Sequence, residues 1–204
     1  MKSIAFIFLL VLVLFPASCL AEILINEILP SPHSDWNGDG AVSARDDEWV
    51  EVYNNSDSPA VLDGYRIGDA ETTWTYGLCG ILPAHGHLAI YGSQSYAWEK
   101  SNGYPAYGLS LVNTGDAARL WRFVGTDSFQ VDSYAYGTTL SAYDRSVGRK
   151  PSGGSDWYLF DALSPYSGKE PPLGTGCPPT PGGPNGCATG VDPRPWGAIK
   201  ALFR

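Results

Sequence analysis

Basic side chains are scarce in this sequence. Lysine and arginine number 13 against 21 aspartates and glutamates, which gives a formal net charge of −8. Binding along a phosphate backbone requires clustered Lys and Arg, so the composition disfavours nucleic acid as a partner. An acidic surface instead favours solubility outside the cell and attracts divalent cations.

Long apolar runs are also absent, apart from one within the N-terminal "MKSIAFIFLLVLVLFPASCLAEIL". Lys2, the apolar run and the small residues after it are typical of a secretory signal, and the run is too short for a stable membrane span. We predict a signal peptide over residues 1–21, cleaved after Ala21, and a secreted chain, extracellular or at the cell surface, without a transmembrane span. Lipid attachment at Cys19 is the alternative, although "FPAS" lacks the aliphatic residue usual before such sites.

Cysteine is rare, with four in the chain and three after removal of the signal peptide. Cys177 and Cys187 bracket a short Pro/Gly loop, and an oxidising compartment favours a disulfide between them. Cys79 is then expected to be an unpaired, buried, small apolar side chain. Pairing of Cys79 with a second chain is the alternative.

No stretch carries apolar residues at helical spacing over three turns. From Glu22 to Pro165, short β-branched or aromatic runs alternate with turn residues. The segment "SYAWEKSNGY" is polar and breaks at Gly103, so it does not read as a helix. We predict an all-β fold, an antiparallel β-sandwich over residues 22–165.

One strand can be oriented from its alternation. In "DEWVEVYN", Val50 and Val52 face one side, whereas Trp49, Glu51 and Tyr53 face the other. Both faces carry bulky side chains, which predicts an inner strand of a sheet.

The C-terminal region has a different composition. From residue 168 to 195 roughly half the residues are glycine or proline, above the level of packed domains. Such a segment buries little apolar area to offset its ordering entropy, so we predict that residues 166–204 are a Pro/Gly-rich linker and a basic C-terminal peptide. That peptide, "RPWGAIKALFR", is either a sorting or anchoring signal or an amphipathic end that docks on the domain.

Several motifs occur in a characteristic order: "ILINEILPSP", "DEWVEVYNNSDSPAVLDGYRIGD" and "LSLVNTGDAARLWRFVGTDSFQVDSYAYG". Together they resemble a prokaryotic lamin tail domain, which implies an immunoglobulin-like β-sandwich over about residues 22–136. The matching positions are Asn26, Glu27, Glu48 to Asn54, Leu62 to Tyr65, Gly115, Asp116, Leu120, Val131, Asp132 and Tyr136. The acidic segment that begins at Asp35 is an insertion relative to the shortest members.

This insertion has the spacing of a twelve-residue calcium loop. Gly40 stands at the sharp turn, and an Asp replaces the usual long Glu at the last position. Prolines and a strand stand where EF-hand helices would lie, which favours a static structural Ca²⁺ site over a sensor. The alternative is a hydrated hairpin rich in turn residues. The predicted ligands are Asp35, Asn37, Asp39, the Ala41 carbonyl, Ser43 through a water, and Asp46, with Asp47 or Glu48 as a further carboxylate.

Catalytic motifs are missing from the sequence. It contains no Gly-x-Ser-x-Gly elbow, no His-Glu-x-x-His and no phosphate-binding Gly-Lys-Ser/Thr loop. His85 and His87 lack a third ligand nearby and are assigned structural roles. The sequon "NNS" at Asn54 fits a glycosylation acceptor, and the aromatic residues exceed what one small core needs.

Three functions remain open from the sequence. The leading hypothesis is a secreted, non-enzymatic, calcium-stabilised binding or structural module, with an extracellular or cell-surface protein or polysaccharide as partner. The second is a carbohydrate-binding accessory module that uses aromatic rings such as Trp74 and Trp98. The third is a hydrolase or nuclease with an unrecognised site.

Overall fold

The computed structural model describes residues 22–71 and 74–187. The predicted signal peptide, with Cys19, and the C-terminal "RPWGAIKALFR" lie outside the described residues. Within the described part of the chain, no helix is long and apolar enough to cross a membrane.

Strands dominate the described chain, with one α-helix and one 3-10 turn among them. In order, the elements are β1 Ile23–Leu29, β2 Trp49–Asn54, β3 Ala60–Val61, β4 Tyr65–Gly68, β5 Trp74–Gly77, β6 Ile81–Leu82, β7 His87–Tyr91, α1 Gly92–Ser101, β8 Asp116–Val124, β9 Asp127–Tyr136, the 3-10 turn Thr138–Ser141, β10 Ser146–Arg149 and β11 Trp157–Phe160.

Two antiparallel sheets enclose the core. One has the order β11-β10-β1-β2-β7, and the other has the order β5-β4-β8-β9; β3 and β6 pair separately. Apolar side chains from both sheets, such as Ile25, Val52, Ile67 and Leu120, form one buried cluster. This arrangement confirms the predicted all-β sandwich.

The central strand β2 follows its sequence pattern. It pairs with β1 on one side and β7 on the other, so it is the predicted inner strand. Val50 and Val52 belong to the core cluster, while Trp49, Glu51 and Tyr53 on the opposite face are also buried. Because these outward-facing side chains are buried, another segment of the chain must cover the outer face of this sheet.

A largely buried ion pair joins the two sheets. Arg149 on β10 donates to both oxygens of Asp132 on β9 at 3.0–3.1 Å, and the two side chains are each 12 % exposed. Asp132 also accepts the Ile25 N–H at 2.8 Å. The Val-Asp motif of β9 thus serves to fix β9 against β1.

The helix α1 corrects the sequence prediction, which found no helix in "SYAWEKSNGY". Its buried residues are Gly92, Ser95 and Glu99. Glu99 accepts the N–H groups of Tyr107 and Gly108 at 2.7–2.8 Å. Because the buried side is polar and hydrogen-bonded, the helix leaves no apolar periodicity in the sequence.

The Pro/Gly-rich segment also differs from the sequence prediction. Residues 166–187 do not form a free linker but cross the outer face of the five-stranded sheet. Leu159 on β11 accepts the Thr175 N–H and donates to the Leu173 carbonyl, both at 2.9 Å. The composition predicted a linker because the segment buries little apolar area. Polar contacts with the sheet offset its ordering entropy instead. We call residues 177–187 the strap.

The strap is closed by the predicted disulfide between Cys177 and Cys187, whose Cα atoms lie 4.7 Å apart. Cys79 is a free thiol, as predicted, but it is exposed rather than buried. It follows β5 in a turn next to Gly80, where the chain has left the core.

Candidate functional site

The acidic loop, residues 35–47, lies between β1 and β2 and curls around the side chain of Asp35. Asp35 Oδ1 accepts the N–H groups of Gly38 at 2.8 Å and Asp39 at 3.1 Å, and Oδ2 accepts that of Gly40 at 2.8 Å. Gly38 and Gly40 have φ of +74° and +92°. Glycine adopts these values without strain, which permits the tight curl.

Asn37 and Asp39 belong to the same turn. Asn37 Oδ1 accepts the Asp39 N–H at 2.8 Å, and Asp39 Oδ1 accepts the Ala41 N–H at 2.9 Å. Asn37 Nδ2 donates to Asp39 Oδ2 at 3.2 Å. The structure therefore gathers the predicted ligands Asp35, Asn37 and Asp39, with the Ala41 main chain, around one turn.

At the end of the loop, Asp46 and Asp47 have different surroundings. The Asp46 carboxylate pairs with the Arg45 guanidinium at 2.6 Å and accepts the Ser43 hydroxyl at 3.2 Å. The Arg45 hydrogen bond lowers the pKa of Asp46. The buried Asp47 points into the loop instead, accepting the N–H groups of Asn37 at 2.9 Å and Ser43 at 2.7 Å.

The carboxylates of the loop are spread along the turn. Across residues 22–71 and 74–187, no three His, Cys, Asp or Glu side chains group in a way that could hold a metal ion. A calcium ion in the loop would therefore need amide and carbonyl oxygens beside its carboxylates, a donor set that Ca²⁺ accepts. The ligand set Asp35, Asn37, Asp39, Ala41, Ser43 and Asp46 stays a prediction.

Asp144, just before β10, anchors the start of the loop. Its Oδ1 accepts the N–H of His33 and the indole N–H of Trp36, both at 2.7 Å, and its Oδ2 accepts the Ser34 hydroxyl at 2.7 Å. Although burial raises the pKa of Asp144, these hydrogen bonds prevail and hold it below its ordinary value.

A second polar cluster lies on the outer face of the five-stranded sheet. Glu27 on β1 stands opposite Glu51 on β2, and both side chains are fully buried. Asn26, at the irregularity of β1, donates through Nδ2 to Glu51 Oε1 at 2.7 Å. The Asn-Glu and Trp-Val-Glu motifs of the sequence therefore meet at one place.

The strap supplies further hydrogen bonds to this cluster, beside the one that Ser146 donates to Glu27. Thr180 Oγ1 donates to Glu27 Oε2, and the Gly182 N–H donates to Glu51 Oε2, each at 2.6 Å. Asn185 Nδ2 donates to the Asn26 carbonyl at 3.1 Å, and Asn26 Nδ2 donates to Asn185 Oδ1 at 3.0 Å. Two glutamates at the sheet surface are thus sealed from solvent by a short loop.

The environment of these carboxyls favours their neutral form. Burial raises the pKa of Glu27 to about 7, against hydrogen bonds from Ser146 and Thr180 that lower it. Burial also raises the pKa of Glu51 to about 8, and the nearby charge of Glu27 adds to this effect. None of the ion pairs found among the described residues includes either glutamate.

No motif in the sequence predicted a site at this cluster, although Glu51 gave a signal. Glu51 stands between Trp49 and Tyr53 on one face of an inner strand. A carboxylate in such a position must find hydrogen-bond partners. The partners themselves, Thr180 and Asn185, lie over 125 residues away in a segment read as a linker, so spacing could not identify them.

The histidines and the sequon have structural roles. His85 bonds Tyr53 and Asp57 at 2.9–3.0 Å, and His87 bonds Ser152 at 2.9 Å, so the two share no ligand. Asn54 is fully buried, and its amide group donates to three main-chain carbonyls at 2.8–3.1 Å. In the folded chain this asparagine cannot accept a glycan.

Aromatic side chains cluster on the face of the four-stranded sheet that points away from the core. Trp74 packs edge-on against Trp121 and Phe123 at 5.1–5.2 Å, and the Arg66 guanidinium lies 4.3 Å from the Phe123 ring centre. By contrast, Trp98 stacks on Tyr104 within the contact between α1 and β5.

A separate groove of about 440 Å³ lies beside β11. It is lined by Tyr134, Ser155, Asp156, Trp157, Tyr158, Pro171, Pro172 and Leu173.

Comparison with known proteins places these features in a family. Searches of curated proteins and of solved structures found no match. The family model described as Lamin Tail Domain matches residues 16–138, which is more than half of the 204 residues. That family is a non-catalytic, immunoglobulin-like fold, in agreement with the two facing sheets. The chain belongs to the lamin tail domain family.

Proposed function

We propose that this chain is a secreted, non-enzymatic lamin tail domain protein that acts as a binding or structural module at or outside the cell surface. The disulfide that closes the strap carries the proposal, because such bonds persist in oxidising compartments. The signal-like N-terminus and the missing catalytic motifs support it.

The contact surface we propose is the outer face of the four-stranded sheet, where Trp74, Trp121 and Phe123 surround Arg66. Aromatic and arginine side chains carry much of the energy of protein interfaces. Oxidised chain immobilised on beads should retain a cell-surface protein, and a Trp74→Ala/Phe123→Ala variant should lose it. If the native chain and the variant retain the protein equally, or if neither retains it, this surface is not the contact site. Turnover of a hydrolase substrate by the pure chain would refute a non-enzymatic role.

We further propose that calcium stabilises the acidic loop. The support is the turn that gathers Asp35, Asn37 and Asp39. At calcium 100 times the Kd, binding to the folded state adds about 2.7 kcal/mol, a rise of about 5–10 °C in Tm for a domain of this size. An Asp35→Asn/Asp39→Asn variant should lose this shift. Asp127→Asn, in the β8–β9 hairpin, should keep it, and identical melting of the native chain in calcium and in chelator would exclude the site.

A polysaccharide is the second candidate partner, favoured by the groove beside β11. Tyr158 offers an aromatic ring there, since Trp157 already stacks on Tyr134. Asp156 offers a hydrogen-bonding carboxylate, and together they are the combination that sugar ring faces and hydroxyls require. Affinity electrophoresis against a polysaccharide panel should show retardation that Tyr158→Ala abolishes. Phe129→Ala, on an exposed ring outside the groove, is the matched control, and unretarded migration in every gel would remove this candidate.

A further inference from the structure

The two cysteines of the strap disulfide differ in exposure. Cys177 is fully buried, whereas Cys187 is exposed at the end of the strap. Thiol–disulfide exchange proceeds by attack of a thiolate on one sulfur and departure of the other. A reductant in solution therefore reaches the Cys187 sulfur, and the buried Cys177 sulfur is the leaving group.

A cation stands beside this leaving group. Lys150 Nζ lies 4.0 Å from Cys177 Sγ and stabilises a thiolate at that position. Exchange is faster when the leaving thiol has a lower pKa. The strap disulfide is thus arranged for reduction through Cys187, with the negative charge developing on Cys177 next to Lys150.

Once the ring is opened, hydrogen bonds rather than apolar packing keep the strap in place. Of the strap residues, Cys177, Pro179 and Asn185 are buried, and none belongs to a helix or a strand. Its attachment consists mainly of hydrogen bonds from Thr180, Gly182 and Asn185 to the sheet. The groups beneath it include Glu27 and Glu51, two carboxyls whose hydration would be gained on release.

We propose that the strap is a reducible cover, closed over Glu27 and Glu51 by the Cys177–Cys187 bond and released when a dithiol reduces that bond. In the reaction the dithiol gives up two electrons and two protons. Its first thiolate bonds to Cys187 and expels the Cys177 thiolate, and its second thiol resolves the mixed disulfide. The products are two cysteine thiols and the oxidised dithiol. The inference does not depend on the proposed binding function.

Amide hydrogen exchange followed by NMR on the oxidised and dithiol-reduced chain tests the proposal. The reporters are the N–H groups of Thr180, Gly182 and Asn185, which bond to Glu27, Glu51 and Ser152. Loss of loop closure over the sequence separation of 10 should speed their exchange by up to about 100-fold. The amides of Val50 and Val52 in β2 should keep their rates.

Variants separate release of the strap from general unfolding. Cys177→Ser/Cys187→Ser should reproduce the reduced exchange pattern without reductant, and Cys79→Ser should reproduce the native one. Lys150→Gln should slow reduction by the dithiol several-fold, whereas a purely structural Lys150 would leave that rate unchanged. Unaltered exchange at Thr180, Gly182 and Asn185 after reduction, or equal acceleration in β2, would overturn the proposal.

Discussion

Replacing Glu51 by glutamine should change how the stability of this domain depends on pH. Glu51 is fully buried, and burial raises its pKa from 4.5 to about 8. The folded chain therefore holds this proton over a range in which the unfolded chain has released it. Because the pKa is raised on folding, the free energy of unfolding is greatest below the unfolded value and falls as the pH rises towards the folded one.

The magnitude follows from the width of that window. A difference of one bound proton changes the free energy of unfolding by about 1.4 kcal/mol per pH unit. Between pH 5 and pH 8 the ionisation of Glu51 should thus cost the native chain about 3 kcal/mol. Glutamine keeps the volume and one acceptor oxygen for the Gly182 N–H but does not ionise. Between pH 5 and pH 8 the free energy of unfolding of the variant should therefore rise relative to that of the native chain by about 3 kcal/mol.

Urea denaturation followed by tryptophan fluorescence at several pH values between 5 and 8 measures the effect. Comparing the two chains removes the contribution of Glu48, whose pKa burial also raises, to about 8. Glu170→Gln, at an exposed carboxylate, is the control. Its free energy of unfolding should depend on pH in the same way as that of the native chain. If Glu51→Gln also shows the pH dependence of the native chain, burial does not raise the pKa of Glu51 and this prediction is refuted.

Three further substitutions test the packing around the two sites, each by urea denaturation. Gly148→Ala would bring a Cβ to 2.6 Å from Asn185 Nδ2 and should cost about 1–3 kcal/mol; Gly137→Ala, with no atom within 4 Å, should be tolerated. Asp144→Asn should cost about 1–3 kcal/mol at neutral pH, with the deficit shrinking in acid, because the lowered pKa of Asp144 means that its stabilisation is lost as the pH falls through that value. Asn54→Ala should cost about 1–3 kcal/mol, since three main-chain carbonyls, among them the buried one of Leu82, lose their donor.

Regular alternation made parts of the fold predictable. Strand β2 carries bulky side chains on both faces, Val50 and Val52 on one and Trp49 and Tyr53 on the other. This local pattern alone was enough to predict an inner strand. The disulfide was also predictable, because Cys177 and Cys187 are close in sequence and a short loop leaves them few other arrangements.

Elements held by polar contacts were not predictable in this way. The helix α1 buries Ser95 and Glu99, whose partners are main-chain groups that any sequence would offer. The strap buries few apolar side chains, so its composition resembles that of a free linker. Hydrogen bonds over more than 125 residues, such as Asn26 to Asn185, leave no local pattern.

The acidic loop shows the same limit on a smaller scale. The spacing of Asp35, Asn37 and Asp39 predicted calcium ligands, and the structure places these side chains around one tight turn. It could not distinguish Asp46 from Asp47, because the choice depends on Arg45 drawing Asp46 outward. Two adjacent aspartates have different roles only because the folded chain gives them different hydrogen-bond partners.

The position of β10 has a practical consequence for anyone who trims this protein. The family match ends at residue 138, yet β10 lies between β11 and β1 in the five-stranded sheet. A truncation at residue 138 would leave the hydrogen-bonding groups of β1 open along one side, and such open strands recruit other chains and aggregate. The shortest piece worth expressing alone therefore runs beyond the matched segment, through Cys187.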